Sequence, residues 1–253
     1  MICFQNFLKW YSKEKNIDTD EIYIRDILTF GLAESLLDQE IRDFFTEDGI
    51  YYEFLVKNYG TIVRLQSKES NKNKVEKIVE KIYNKIGNYV FGENADRLEK
   101  KTVELVKKLG MNISTAESCT GGMIASRLID VPGVSEIFKE GIVSYSNDAK
   151  MKRLGVKKET LEKYGAVSEE TAREMAEGGV NTSGTDLCVA TTGIAGPDGG
   201  TDEKPVGLVY MACCLRGKTC VRRYQFKGNR EKVREQAMMK ALDLARLCIL
   251  ANK

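Results

Sequence analysis

Two spacings of apolar residues alternate along the chain, and their mix changes near residue 95. Ahead of that point, the β-branched alternation of Ile22–Phe30 predicts a strand. Leu36, Leu37, Ile41 and Phe44 recur at helical spacing and predict a helix over 34–44. Short strands are expected at Tyr51–Val56 and Thr61–Leu65, on either side of Asn58-Tyr59-Gly60. Val75, Ile78, Val79 and Ile82 share one side of a helix over 75–86, with lysines opposite. This first part reads as a small α+β unit.

From residue 95 onward, strands and helices alternate. Asn94 is the expected N-cap of a helix running to Leu109 and stopped by Gly110. A strand at Ile113–Thr115 leads into a helix over 121–129, and a strand at Gly141–Tyr145 into a helix over 147–154 ended by Gly155. Ser168 caps a helix reaching about residue 181, with Glu169 and Glu170 in its first turn. Strands follow at Leu187–Thr191, Val206–Cys214 and Thr219–Phe226, the last two as a hairpin around Arg216-Gly217-Lys218. Arg230–Leu250 forms a long closing helix. The alternation predicts an α/β layered domain.

Composition narrows the chemistry. The chain has 253 residues, 42% of them hydrophobic, enough for one large or two small cores. Lys and Arg number 39 against 37 Asp and Glu, a net charge of +2 with a slight acidic excess in residues 1–94, which argues against nucleic acid as a partner. Histidine is absent, which removes a Ser-His-Asp triad, a Cys-His pair and any His-ligated metal. Acid-base work must fall to Lys, Tyr, Asp, Glu, Cys or bound water. The seven cysteines include no C-x-x-C pair and sit mostly in apolar runs, as reduced core residues of a cytoplasmic protein do. Met1–Lys9 lacks a long uncharged apolar run, and no stretch approaches the ~20 apolar residues of a membrane span. A soluble chain with no membrane partner is expected.

Four segments carry candidate chemistry. In Thr115-Ala116-Glu117-Ser118-Cys119-Thr120-Gly121-Gly122, a strand ends and small residues open a helix, a place suited to a phosphate or a developing oxyanion. Ser118 is a candidate nucleophile there; plain capping by Ser118 and Thr120 accounts for the same residues. The second segment, Gly141–Lys150, brings Tyr145 and Lys150 toward Ser118 if the sheet is parallel. A desolvated lysine activates a serine without histidine; a solvated lysine and a half-buried tyrosine are the plain alternative. The third, Ala190–Gly200, holds Thr192 and Gly193 in another loop after a strand. Neither G-x-G-x-x-G nor G-x-x-x-x-G-K-[ST] occurs, which disfavours dinucleotide and P-loop sites. The fourth puts Arg230 at the start of the last helix, to hold an anion or simply to face solvent.

Together, AESCTGG at 116–122, GIVSYSNDAK at 141–150, GAVSEETAREMAEG at 165–178, TGIAGPDGG at 192–200, KPVG at 204–207 and KGNREKVREQA at 227–237 resemble the CinA C-terminal family of nicotinamide mononucleotide deamidases. The likeness covers about residues 95–253. Thr29–Ser35 and Gly87–Glu93 resemble the middle, KH-like domain of full-length CinA proteins, without a GXXG clamp for RNA. The molybdopterin-binding-like domain that precedes it in those proteins has no counterpart in these residues, so its pyrophosphatase activity is not carried over. The resemblance implies a small α+β KH-like domain over 1–93 and a three-layer α/β/α domain over 94–253.

It further implies hydrolysis of the carboxamide of nicotinamide mononucleotide to nicotinic acid mononucleotide and ammonia, with no metal and no cofactor. Ser118 would be the nucleophile, Lys150 with Tyr145 would take or relay its proton, and Glu117 would orient the group. The N–H groups of Thr120, Gly121, Gly122 or Gly193 would hold the oxyanion, Thr192 would lie at the substrate loop, and Arg230 would hold the phosphate. Asn229 stands where the family often has Asp. Two other readings are a non-catalytic pyridine-nucleotide sensor and an RNA-binding protein using the KH-like unit. Tyr51, Tyr52 and Tyr59 offer a homodimer contact, which core packing explains as well.

Overall fold

The computed structural model describes residues 22–57, 59–94 and 96–252. The chain divides between Asp96 and Arg97 into two compact units. Cys3 and Met1–Lys9 lie outside the described residues.

In the first unit, β1 (Ile22–Thr29), β2 (Ile50–Lys57), β3 (Gly60–Lys68) and β4 (Val90–Glu93) form an antiparallel sheet in the order β2-β3-β1-β4. Two helices, α1 (Glu34–Ile41) and α2 (Lys72–Ile86), supply Leu37, Ile41, Val75, Ile78 and Ile82 to a core completed by Ile27, Val63 and Leu65 of the sheet. The helix expected over 34–44 closes at Ile41 and tightens into a 3₁₀ turn through Phe44. β4 was not foreseen, because four residues with a central glycine show no period; a Cβ on Gly92 would stand 2.5 Å from that of Asp96. Gly60, with φ +131°, closes the β2–β3 hairpin where a Cβ would fall 2.1 Å from the Thr29 carbonyl oxygen. Tyr51 and Tyr59 are exposed, while Tyr52 stacks on Phe45 at 3.9 Å and donates to Asp38.

Asn94 does not cap the next helix. Its N–H donates to the Asp26 carbonyl, which extends the β1–β4 pairing, and its φ of 56° is left-handed. α3 therefore starts later, as Leu98–Lys108, with Arg97 at the N-cap.

The second unit is a three-layer α/β/α domain. Its strands are β5 (Ile113–Glu117), β6 (Phe138–Val143), β7 (Leu187–Gly193), β8 (Leu208–Leu215) and β9 (Lys218–Gln225), in the order β6-β5-β7-β8-β9. β6, β5 and β7 run parallel, whereas β8 and β9 are antiparallel additions. The hairpin between β8 and β9 turns on Arg216 and Gly217, both with positive φ, as a two-residue turn requires. α7 (Glu169–Ser183) packs on one face of the sheet, placing Ala172, Met175 and Ala176 against Ala116, Cys188 and Ala190. Gly179 allows the close approach, since a Cβ there would lie 2.3 Å from Cys188 Sγ. α3, α4 (Met123–Ile129) and α8 (Arg230–Ala251) form the other layer.

α5 (Asn147–Leu154) has the expected caps, with Ser146 Oγ accepting from the Ala149 N–H and Gly155 left-handed. Ser168 likewise accepts from the Thr171 N–H. β6 begins at Phe138 rather than Gly141, because Phe138 pairs with Ile113 across an irregular step in the ladder. A short helix, α6 (Lys158–Tyr164), lacks the apolar stripe that would have announced it. Among the described residues, no helix is long and apolar enough to cross a membrane, and no group of three or more metal-ligating side chains comes together.

The fully buried Ile82 joins α2 to the first sheet. Ile82→Ala should destabilise that unit by about 2–5 kcal/mol in urea denaturation. A loss below about 1 kcal/mol would show that this helix does not carry the core.

Candidate active site

Parallel pairing of β5 with β6 and β7 puts the loops after all three strands on one edge of the sheet. The nucleophile loop follows β5, Lys150 arrives from α5 after β6, and Thr192 and Gly193 end β7.

Lys150 Nζ lies 3.0 Å from Ser118 Oγ, 2.9 Å from the Ser144 carbonyl and 3.4 Å from that of Tyr145. The lysine is 1% exposed and Ser118 is 8% exposed. Among the described residues, no carboxylate pairs with Lys150, and burial lowers its pKa from the ordinary lysine value. Nζ thus meets three oxygens, two carbonyls and the serine hydroxyl; once burial has cost the amine its proton, two N–H groups still serve the carbonyls and a lone pair is left for the hydroxyl. The solvated-lysine alternative is excluded by this burial.

Glu117 is fully buried and holds the loop's shape. Its carboxylate accepts from the N–H groups of Gly122 (2.9 Å), Ile124 (3.1 Å) and Ala125 (2.8 Å), and from Thr115 Oγ1 (3.2 Å). It thus caps α4 in place of the Ser118 and Thr120 hydroxyls. α4 starts at Met123 rather than 121 because Gly121 and Gly122 are both left-handed. Two oxyanion donors considered from sequence are engaged: the Gly122 N–H by Glu117, and the Gly121 N–H by the Ser118 carbonyl at 3.1 Å. The N–H of Thr120 meets no acceptor among the described residues. Its hydroxyl shares a 2.7 Å hydrogen bond with Thr191 Oγ1.

Tyr145 stands apart from Ser118. It is 63% exposed, its main-chain carbonyl meets Lys150, and its hydroxyl accepts from Arg230 Nη2 at 3.1 Å. A proton relay through the phenol is therefore not in place: the chain turns outward after Ser144 to open α5 and carries the ring to the surface. Arg230 also donates to the Gly196 carbonyl at 2.8 Å, and Asn229 caps α8 by accepting from the Lys232 N–H. Thr192 Oγ1 donates to the Ala166 carbonyl at 2.6 Å, which ties the end of β7 to the loop before α7. Ile194 N–H donates to Leu208, so the Gly193 N–H turns away from β8, toward the side where β5 ends. Cys119, beside the serine, is no rival nucleophile, since burial pushes its thiol up to about 11.

Arg234 was not foreseen. It donates from Nε to the Cys119 carbonyl (3.0 Å) and from Nη2 to the Thr120 carbonyl (2.9 Å). Its position one helical turn beyond Arg230 was the available signal.

Residues 95–249 match the CinA C-terminal domain, and residues 25–92 match the KH domain of damage-inducible protein CinA. The chain belongs to the CinA family. A CinA-like protein of Fusobacterium nucleatum is 57% identical over 94% of this chain and 59% of its own length. A putative competence-damage inducible protein of Clostridium perfringens is 48% identical over 90% of this chain and 57% of its own. The chain thus spans under three-fifths of these curated relatives. The crystal structure of competence/damage inducible protein CihA from Agrobacterium tumefaciens is 42% identical, covers 62% of this chain and 94% of that one, and superposes with a TM-score of 0.59. A CinA superfamily protein from Escherichia coli, at 35% identity, covers 63% of this chain and 95% of that one with a TM-score of 0.58.

Glu117→Ala would leave three helix N–H groups and the Thr115 hydroxyl without their acceptor. A stability loss of about 2–4 kcal/mol is expected in denaturant titration. A loss under about 0.5 kcal/mol would mean that solvent satisfies these groups and the carboxylate does not set the loop.

Proposed function

We propose that this CinA-family chain is a nicotinamide-nucleotide amidohydrolase that acts through a Ser118–Lys150 pair. The single observation that carries the reading is the buried amine 3.0 Å from Ser118 Oγ, with its pKa lowered by desolvation and with no carboxylate partner among the described residues. In the first step, Ser118 Oγ attacks the carboxamide carbon and its proton passes to Lys150 Nζ. Lys150 returns that proton to the leaving nitrogen, ammonia departs, and an ester on Ser118 remains. Water then attacks the ester with Lys150 as base, releasing the carboxylic acid and regenerating the serine. An amide and one water give an acid and ammonia, so the atoms balance.

Arg230, held by the Gly196 carbonyl and in contact with exposed Tyr145, lies at the outer rim, where a cation would hold the nucleotide phosphate. Tyr145 then frames the mouth of the site instead of relaying the proton. Thr192 fixes the loop at Ala166 that borders it.

Purified protein should release ammonia from nicotinamide mononucleotide. Ser118→Ala and Lys150→Met should each lower kcat by about 10³-fold or more. The neutral amine is the working form, and burial lowers its pKa. The rate should therefore rise with pH through a single ionisation below the ordinary lysine value of 10.5 and then level off. Wild-type turnover in Ser118→Ala would remove the serine from the mechanism, and a rate that falls over the same range would remove the neutral lysine.

A further inference from the structure

The geometry points to Arg234 as a positioning residue that fixes and polarises the Thr120 N–H as an oxyanion donor for chemistry at Ser118. This rests on the serine-acylation reading above and adds to it a residue that touches neither substrate nor nucleophile.

Three observations carry it. First, Arg234 spans two consecutive carbonyls, those of Cys119 and Thr120, immediately after Ser118. A guanidinium holds two such acceptors with a rigid, planar pair of donors, whereas an ammonium on a flexible stem does not fix their spacing. Second, a trans peptide points its C=O and N–H in opposite directions. Anchoring the Cys119 carbonyl on Arg234 therefore turns the Thr120 N–H of the same peptide away from the guanidinium. Charge drawn from the carbonyl also makes that N–H a stronger donor. Third, the Thr120 N–H has no acceptor among the described residues, while its neighbours at Gly121 and Gly122 are occupied. The Cys119 N–H likewise meets no acceptor among the described residues, and of these two donors beside Ser118 the one at Thr120 belongs to the peptide that Arg234 anchors; an unmet donor there is what a developing oxyanion needs.

Gly121 completes the arrangement. A Cβ there would stand 3.3 Å from Arg234 Nη2, at a left-handed φ of +60°, so glycine admits both the turn and the guanidinium. Arg234 forms no ion pair among the described residues, which leaves these two carbonyls as its partners.

Arg234→Lys and Arg234→Gln test this in the full chain. Ammonia release gives kcat and KM, and thermal melting reports the fold. A fluorophosphonate gives a second readout that is independent of the natural substrate. There Ser118 Oγ bonds to phosphorus, the P–F bond breaks, fluoride leaves, and the serine proton passes to Lys150. Both variants should lose about 100-fold in kcat and in phosphonylation rate, with KM within about twofold of wild type and little change in melting. Folded variants within threefold of wild type in both rates would overturn the inference, as would a raised KM at unchanged kcat. If neither variant folds, a crystal structure of the phosphonylated wild type decides: the phosphoryl oxygen lies on the Thr120 N–H, or the inference fails. Phosphonylation without ammonia release would sink the nicotinamide substrate alone, and Arg234 would then stand or fall on the phosphonylation rates. A wild type that neither phosphonylates nor releases ammonia overturns both.

Discussion

A lysine buried without a counter-charge is the constraint from which the site follows. Removing an ammonium from water costs several kcal/mol unless an anion meets it, and shedding the proton relieves that cost. Lys150 meets no carboxylate among the described residues, only two carbonyls and a serine hydroxyl. The carbonyls are fixed because the chain has just left β6, where Ser144 N–H still donates to the Glu117 carbonyl at 2.8 Å. The helix cap at Ser146 then sets where the first turn of α5, and with it Lys150, can sit. Sheet pairing, cap and amine thus act as one device across the β5–β6 step.

The opposite wall depends on a buried anion. Glu117 gathers three amides at the mouth of α4 and so fills the place where a helix end would otherwise draw a ligand's charge. The proposed oxyanion donor therefore lies in the turn between Ser118 and Gly121 and not at the helix end. The two charged residues that shape this turn, Glu117 from within and Arg234 from α8, fix backbone and leave the serine hydroxyl free to face Lys150.

What could be read in the sequence were features of local origin. Ser146 and Gly155, and Ser168 before α7, announce helix ends because capping is decided within one turn. The Ser118–Lys150 pairing was legible only through the parallel-sheet inference, as two strand-to-helix turns on one edge, and the resemblance to the CinA family named the same pair. Other features set by distant contacts were not legible. Asn94 has a good cap side chain, but pairing with Asp26 keeps its backbone in the first sheet. Tyr145 sits next to the site in sequence, yet its ring turns outward to Arg230. Arg234 is more than a hundred residues from the carbonyls it holds, and only the packing of α8 beside α4 brings it there.

The ionisation of Lys150 tests the central claim most directly. Protein labelled with carbon-13 at the lysine side chains can be titrated by NMR, with Lys150→Arg assigning the resonance. The Lys150 signal should move with a midpoint below the ordinary lysine value of 10.5, and Ser118→Ala should perturb it. A midpoint at or above that value, unaffected by loss of the serine hydroxyl, would contradict the account.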